Sequence, residues 1–182
     1  RWKKNLPEAW KSAVELSVSD RGGHIFDPVV GAFSDVVEMD FSSFYPHIMW
    51  RKNLSVETLN CRCCQPTPGN TVPALGYHVC TRQEGLISAV VGRILTERMR
   101  AKDLSKGAET CELRFPEESG MGDLVPRNGR DRYRSISTIL KWVMVTCFGY
   151  TGYRNARFGK IEAHETVTAY AREYLLRARE VV

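Results

Sequence analysis

The sequence predicts an α+β fold, from one strand-like run and three stretches with helical periodicity. Residues 36–41 (Val-Val-Glu-Met-Asp-Phe) are rich in β-branched and aromatic side chains, which favour a buried, pleated strand. Residues 85–106, 135–149 and 161–182 repeat apolar side chains at spacings of three and four, as helices with one buried face do. Strands and helices in separate stretches are typical of the α+β class.

The strand-like run delivers one carboxylate, Asp40, and is followed by Tyr45-Pro46. Because a proline pushes the preceding residue out of the helical region, we expect Tyr45 at a bend. A lone aspartate at a strand end is commonly a turn residue or a helix cap. Its neighbours therefore decide whether Asp40 has a function.

Two helical stretches carry basic side chains on either side of a loop. Arg98 and Lys102 are four residues apart and share one helix face. Arg134 and Lys141 lie in or just before the next stretch, on a face separate from its apolar one. Between them, residues 107–129 are rich in glycine, proline and acid without periodicity, which predicts a loop.

Composition and charge point to a protein with an anionic partner. With 182 residues, 43% hydrophobic and 26% charged, the chain can bury one core. It has no apolar run of membrane length and no signal-peptide pattern, so we expect a soluble, intracellular protein without a membrane partner. The net charge is +5, and residues 127–160 hold eight basic residues against one acidic residue. This segment is a candidate phosphate-facing surface.

Residues 149–160 interleave glycines, aromatic rings and cations. Glycine lets a nucleic-acid backbone approach closely, aromatic rings stack on bases, and arginine pairs with phosphate. Gly149 is also well placed to end the preceding helix. The candidate nucleic-acid contacts are Gly149, Tyr150, Gly152, Tyr153, Arg154, Arg157 and Lys160.

Four of the six cysteines fall within twenty residues: Cys61, Cys63, Cys64 and Cys80. Intracellular thiols are usually reduced, but such a cluster is compatible with a metal site or, in a hyperthermophile, with a disulfide. The spacing is not that of two Cys-x-x-Cys pairs, which weakens the prediction of zinc.

Two motifs resemble those of family B DNA polymerases. Residues 40–48 are similar to the first motif, usually Asp-x-x-Ser-Leu-Tyr-Pro-Ser-Ile, and Lys141 and Gly149 match the second, usually Lys-x-x-x-Asn-Ser-x-Tyr-Gly. The departures in and before the second motif are Val145 for asparagine, Thr146 for serine, Phe148 for tyrosine and Ile136 for a common arginine.

The resemblance, closest to an atypical archaeal or bacterial branch, implies two subdomains. One is a partial polymerase palm, an antiparallel sheet with helices, and the other is a helical-hairpin fingers subdomain. Residues 1–84 would form the N-terminal part of the palm, with the first motif and the cysteine-rich loop. Residues 85–148 would form the fingers with a mobile tip at about 107–129, and residues 149–182 would return to the palm.

The resemblance also implies roles for individual residues. Asp40 would be the catalytic carboxylate and a ligand of two Mg²⁺ ions, with the carbonyl of Phe41 as a further ligand. Gly22 and Gly23 would touch primer–template DNA together with the contacts in residues 149–160. The dNTP would be bound by Ser42, Ser43, Phe44, Tyr45, Arg98, Lys102, Arg134 and Lys141. Of these, Tyr45 would be the steric gate against a ribose 2′-hydroxyl. Some archaeal relatives carry a disulfide that would correspond to Cys64–Cys80.

The family's second catalytic aspartate lies in an Asp-Thr-Asp hairpin, and no such triplet occurs in these 182 residues. We therefore expect the chain to be inactive alone and to require the remaining polymerase domains or a complementary subunit. The full protein would serve DNA replication or repair in a prokaryotic cytoplasm, at the nucleoid. The alternative is a catalytically degraded polymerase domain that acts as a nucleic-acid-binding module, which Val145 and Ile136 would fit.

Overall fold

A computed structural model describes residues 11–19, 22–107, 129–153 and 156–181. The helices in these ranges are α1 (Ala13–Ser19), α2 (Phe44–Arg51), α3 (Leu86–Gly107), α4 (Gly129–Gly152) and α5 (Ile161–Val181). The three long helices, α3, α4 and α5, confirm the helices that the periodicity of the sequence predicted. The tip loop expected at 107–129 falls almost entirely on residues 108–128, outside the described ranges. No helix in the described ranges has the length and apolarity needed to cross a membrane.

The antiparallel sheet is absent from the described residues, so the prediction of an α+β fold is wrong for this part of the chain. Val36 and Val37 of the predicted strand are 76% and 81% exposed. β-branched residues favour a strand where a neighbour supplies ladder hydrogen bonds and buries one face, and residues 36–41 have no such neighbour here. Two isolated antiparallel bridges are present, Leu59 with Val79 and Thr71 with His78.

Helix α2 begins where a bend was expected. Phe44 is its first residue and Pro46 its third. The first N–H groups of a helix have no acceptor within the helix, so a proline in the first turn removes no hydrogen bond. The bend predicted at Tyr45 is therefore wrong, and Tyr45 lies in the first turn of α2.

Helix α4 continues through Gly149 to Gly152, so the predicted end at Gly149 is also wrong. A Cβ atom at Gly152 would lie 2.9 Å from Cδ2 of His164 in α5. The glycine that close packing requires is thus Gly152, where α4 meets α5.

Helices α3 and α4 pack on each other and form a helical hairpin. Near the beginning of α3, the Ser88 hydroxyl donates a hydrogen bond to the carbonyl of Trp50 in α2, at 3.1 Å. Near the end of α4, the Phe148 ring lies 4.6 Å from that of Tyr45, also in α2. Opposite ends of the two helices therefore meet α2, and the helices run in opposite directions.

The core lies where α2, α3 and α5 meet the long loop between α2 and α3. Its buried members include Ile48 and Met49 of α2, Val91 of α3, Val167 and Tyr170 of α5, and Leu54, Leu59, Val72 and Val79 of the loop. The loop is thus part of the packed structure and fixes how α2 and α3 are joined.

A buried carboxylate anchors α5 to the segment before α1. Glu165 is fully buried, and Lys11 Nζ lies 2.6 Å from its Oε2. The Tyr77 hydroxyl donates to the same oxygen at 3.0 Å. Burial acts to lower the pKa of Lys11, but the hydrogen bonds to Glu165 and Tyr77 outweigh it and raise that pKa above 10.5. A buried charge is tolerated when it is paired in this way.

Candidate functional site

The first motif is held at the N-terminus of α2 by Ser43. Ser43 adopts the left-handed conformation, with φ +51°, immediately before the helix. Its carbonyl accepts a hydrogen bond from the N–H of His47 at 3.0 Å. Its hydroxyl accepts a hydrogen bond from Nη1 of Arg98 in α3. Two residues predicted to bind nucleotide, from separate elements, are therefore brought together.

The Arg98 guanidinium is half-buried, and only part of its donor capacity is used. Among the described residues its Nε has no hydrogen-bond partner, although the atom is buried. A buried donor without an acceptor costs about 1–3 kcal/mol. An acceptor on a bound ligand would remove that cost.

Aromatic rings connect the first motif to α4 and α5. The rings of Phe41 and Phe44 stack with centroids 4.4 Å apart and planes 11° apart. Tyr45 packs against Phe148, which in turn stacks on His164 of α5 at 4.5 Å. Such ring pairs stabilise the fold by more than their buried area alone would, and they fix the orientation of the rings. The Tyr45 side chain is thereby held against α4.

Gly22 and Gly23 lie beside this aromatic group. A Cβ atom at Gly23 would lie 3.5 Å from the Tyr45 hydroxyl. The carbonyl of Gly22 accepts a hydrogen bond from Nη1 of Arg172 in α5, at 2.9 Å. The structure thus brings the glycine pair next to the predicted gate.

Asp40 is exposed in the segment that leads into α2. Within the described part of the chain, its carboxylate has no hydrogen-bond or ion-pair partner. The cysteine cluster is the one group of three or more His, Cys, Asp or Glu side chains there whose geometry suits a metal ion. Asp40 is thus close to Ser43 in the sequence, but the described residues bring no second carboxylate to it as a possible metal ligand.

The remaining predicted phosphate ligands are exposed side chains on the helical hairpin. Lys102 follows Arg98 by one turn of α3, and Arg134 and Lys141 lie on α4. In the described ranges no hydrogen bond or ion pair joins these three side chains to one another or to Asp40. Their grouping remains a prediction.

The predicted nucleic-acid contacts at residues 149–160 divide into two sets. Tyr150 and Tyr153 are 56% and 53% exposed, with ring centroids 6.0 Å apart, and a Cβ at Gly149 would meet nothing within 4 Å. Arg157 is exposed as well, whereas Arg154 lies outside the described residues. Lys160 is committed internally, since its Nζ donates to the carbonyls of Val56 and Leu59 at 3.2 and 3.1 Å.

Two side chains contact the aromatic residues of the site although the sequence did not predict their contacts. Lys52 lies over the rings of Tyr170 and Tyr174, with Nζ 4.9 and 5.8 Å from their centroids. The second is His164 of α5, whose ring stacks on that of Phe148 with centroids 4.5 Å apart. The helical spacing of Tyr170 and Tyr174, four residues apart in α5, is the signal from which a cation-binding aromatic face was predictable.

The four clustered cysteines converge on one point. Their Sγ atoms all lie within 4.8 Å of one another, and the four are free thiols. Cys64 and Cys80, the expected disulfide, have Sγ atoms 3.7 Å apart, whereas a disulfide requires about 2.05 Å. The hydrogen bond that Cys63 makes to Cys80 favours its neutral thiol and raises the pKa of Cys63 to about 12, whereas a hydrogen bond from Thr81 lowers the pKa of Cys64 to about 6.

Comparison with known proteins gives a consistent set of relatives. The family model described as "DNA polymerase family B" matches residues 7–182. The chain is 30% identical to DNA polymerase 1 of Pyrococcus abyssi over 94% of its own length and 20% of the relative's. It is 29% identical to DNA polymerase 2 of Saccharolobus solfataricus over 92% of its length and 21% of the relative's.

A solved structure agrees with these relatives. The family B DNA polymerase of the hyperthermophilic archaeon Pyrobaculum calidifontis superimposes with a TM-score of 0.54 at 29% identity. The match covers 78% of this chain and 17% of that structure. The chain thus spans about a fifth of the length of the curated relatives that it matches.

Proposed function

Because the chain belongs to DNA polymerase family B, we propose that it forms the palm-and-fingers part of a template-directed DNA polymerase, which binds dNTP and primer–template DNA. The observation that carries the proposal is the hydrogen bond from Arg98 to Ser43. It joins the motif that contains Asp40 to the first helix of the hairpin. Residues 85–148 are the proposed fingers, and residues 1–84 and 149–182 belong to the palm.

The proposed triphosphate site lies between the N-terminus of α2 and the helical hairpin. Arg98 is permanently charged and has five N–H donors, of which Nη1 is engaged by Ser43. Phosphate oxygens would satisfy its buried Nε, and Lys102 lies one turn away. Lys141 and Arg134 would add charge from α4. Ser42, Ser43 and Phe44 would offer backbone amides at the start of α2, where N–H groups are free to bind an anion.

Tyr45 is proposed as the steric gate that excludes a ribose 2′-hydroxyl. Its ring is packed against Phe148 and its hydroxyl faces Gly23, which limits the positions that the ring can adopt. A ring held on two sides discriminates by shape better than a mobile one, because a larger sugar cannot displace it without loss of packing.

Asp40 is proposed as the catalytic carboxylate, with the carbonyl of Phe41 beside it. When bound, Mg²⁺ would activate the primer 3′-hydroxyl and neutralise phosphate charge. Mg²⁺ prefers six oxygen ligands, often from more than one carboxylate and from substrate phosphates. The described residues supply one carboxylate at this place, so they do not complete a Mg²⁺ site.

The proposed DNA contacts lie at and after the end of α4. Tyr150 and Tyr153 are exposed aromatic side chains of the kind that stack on bases, and Arg157 is an exposed arginine of the kind that pairs with phosphate. The open surface at Gly149 allows a backbone to approach. Lys160 is proposed to support this segment through its carbonyl contacts with the long loop.

The test is the affinity of the chain for dATP in the presence of Mg²⁺, measured by isothermal titration calorimetry. Arg98→Ala should weaken binding by about tenfold or more, because a charge-assisted hydrogen bond contributes about 1.5–3 kcal/mol. Arg100→Ala is the matched control, since Arg100 is an exposed arginine of the same helix two residues away. Equal affinity of both variants and the wild type contradicts the proposed triphosphate site. Retained DNA binding without any dATP binding would favour the nucleic-acid-binding module.

A further inference from the structure

We propose that Cys61, Cys63, Cys64 and Cys80 form a tetrahedral four-thiolate site for one structural Zn²⁺ ion, separate from the nucleotide site. The Sγ atom of Cys63 lies 3.8 Å from that of Cys64 and 3.5 Å from that of Cys80, and Cys64 and Cys80 are 3.7 Å apart. All four sulfurs lie within 4.8 Å of one another. Zn–S bonds of about 2.3 Å in a tetrahedron separate the sulfurs by about 3.8 Å, so the spacing matches one small tetrahedral ion.

Other uses of the cluster fit this geometry less well. The Sγ atoms of Cys63 and Cys64 lie at similar distances from that of Cys80, 3.5 and 3.7 Å, so the geometry does not select one disulfide pair. A single disulfide would also leave two thiols packed against it without a role. An iron–sulfur cluster holds its cysteines around several irons and therefore needs more widely spaced sulfurs. Four soft ligands around one point select a thiophilic tetrahedral ion.

Backbone hydrogen bonds hold the two ligand segments together without any bond between sulfurs. The N–H of Cys80 donates to the carbonyl of Thr58 at 2.8 Å, and the N–H of Asn60 donates to the carbonyl of His78 at 2.9 Å. The ligands are thus arranged before an ion arrives, which lowers the entropic cost of binding. Nε2 of His78 lies 3.1 Å from the carbonyl of Cys61, a contact that supports the position of that ligand.

The place of the cluster suggests what the ion would stabilise. Residues 53–85 contain neither helix nor strand, apart from isolated bridges. Asn53, just after α2, donates to the carbonyl of Cys80 at 3.0 Å and accepts from the N–H of Gly85, just before α3, at 2.7 Å. Loops with little regular structure commonly need a metal or disulfide to hold their shape. The ion would therefore fix the relative position of α2 and α3, and with it that of Ser43, just before α2, and Arg98, on α3.

The first experiment measures the metal content of the chain purified under reducing conditions. Elemental mass spectrometry should find about one zinc per chain. Cys63→Ser and Cys80→Ser should lose most of it. Cys147→Ser is the matched control, because Cys147 is a half-buried free thiol on α4 outside the cluster and its variant should retain the zinc.

The second experiment does not depend on the folding of the cysteine variants. Co²⁺ added to metal-free wild-type chain should give thiolate-to-cobalt charge-transfer bands and the intense visible bands of a tetrahedral site, saturating at about one equivalent. The same titration of Cys147→Ser should be unchanged. Absence of these bands in reduced protein, together with absence of zinc, overturns the proposal. A Cys64–Cys80 disulfide in protein that binds neither ion would replace it. Neither readout depends on nucleotide binding.

Discussion

Arg98 of α3 donates a hydrogen bond to the hydroxyl of Ser43, which lies in the left-handed conformation just before α2. This hydrogen bond couples the helical hairpin to the first motif, alongside the packing of Phe148 on Tyr45. A double-mutant cycle of Ser43→Ala and Arg98→Ala, measured by urea unfolding, should give a coupling free energy of about 0.5–3 kcal/mol. The same cycle with Ser42→Ala should give almost none, because Ser42 is the exposed neighbour without this contact. Equal coupling in both cycles would contradict the contact.

Gly92 allows α3 to approach α2. A Cβ atom at this position would lie 2.5 Å from Cδ1 of Trp50, so Gly92→Ala should displace the indole and cost about 1–3 kcal/mol. Gly149→Ala is the control, since a Cβ inside α4 at that position meets nothing within 4 Å. It should be neutral or stabilise by up to about 1 kcal/mol. Chemical denaturation measures both. A stabilising Gly92→Ala would show that the helices are not this close.

The sequence predicts the helices themselves better than it predicts which glycines their packing requires. The periodicity of the three long stretches predicted α3, α4 and α5, because one buried face determines a helix of that length. Which glycine of α4 is needed for packing depends on α5, and periodicity within α4 carries no such information. Val36 and Val37 have strand-forming side chains, but a sheet also requires a partner that local sequence does not reveal.

The candidate site likewise has residues that the sequence predicts and contacts that it does not predict. Asp40, Ser43, Tyr45 and Arg98 were predicted as site residues from motifs, and the four-residue spacing of Arg98 and Lys102 predicted that these two share one helix face. The use of Lys160 by two loop carbonyls depends on tertiary contacts 101 and 104 residues apart in sequence. The convergence of Cys80 on Cys61–Cys64 depends on the path of the intervening loop, which the spacing of cysteines does not define.

The Lys11–Glu165 pair predicts a loss of stability at alkaline pH. Hydrogen bonds raise the pKa of Lys11 in the folded state above its ordinary value of 10.5, and burial raises that of Tyr77 above 10.0. A group whose pKa is higher in the folded state than in the unfolded state stabilises the fold fully at pH values below its unfolded-state pKa. That stabilisation disappears as the pH rises through the folded-state pKa. Urea unfolding from about pH 9 to about pH 12 should therefore show falling stability.

The share of this loss that belongs to Lys11 is tested by Lys11→Met. The variant should be less stable at neutral pH by about 3–5 kcal/mol, because it leaves the Glu165 carboxylate without its cation. Its alkaline loss should be smaller than that of the wild type, with the remainder due to Tyr77. A variant with the full alkaline loss would exclude Lys11 as its source.

Tyr45 is expected to set sugar selectivity. Tyr45→Ala in the gene product that contains these residues should raise ribonucleotide incorporation relative to dNTP, because the ring that fills the space of a 2′-hydroxyl is gone. Tyr45→Phe keeps the ring and its packing on Phe148, so it should keep the discrimination. Single-nucleotide extension with paired dNTP and rNTP measures the ratio. No rise in Tyr45→Ala would remove Tyr45 from the gate.

Primer extension tests the central claim most directly. Asp40→Asn in the same gene product keeps the size of the side chain and removes its charge, and Glu38→Gln makes the same change two residues earlier on an exposed neighbour. Asp40→Asn should lower the extension rate by about a hundredfold or more, as loss of a charge-stabilising catalytic group does, while Glu38→Gln should extend at the wild-type rate. Equal extension by Asp40→Asn and the wild type would contradict the catalytic role of Asp40.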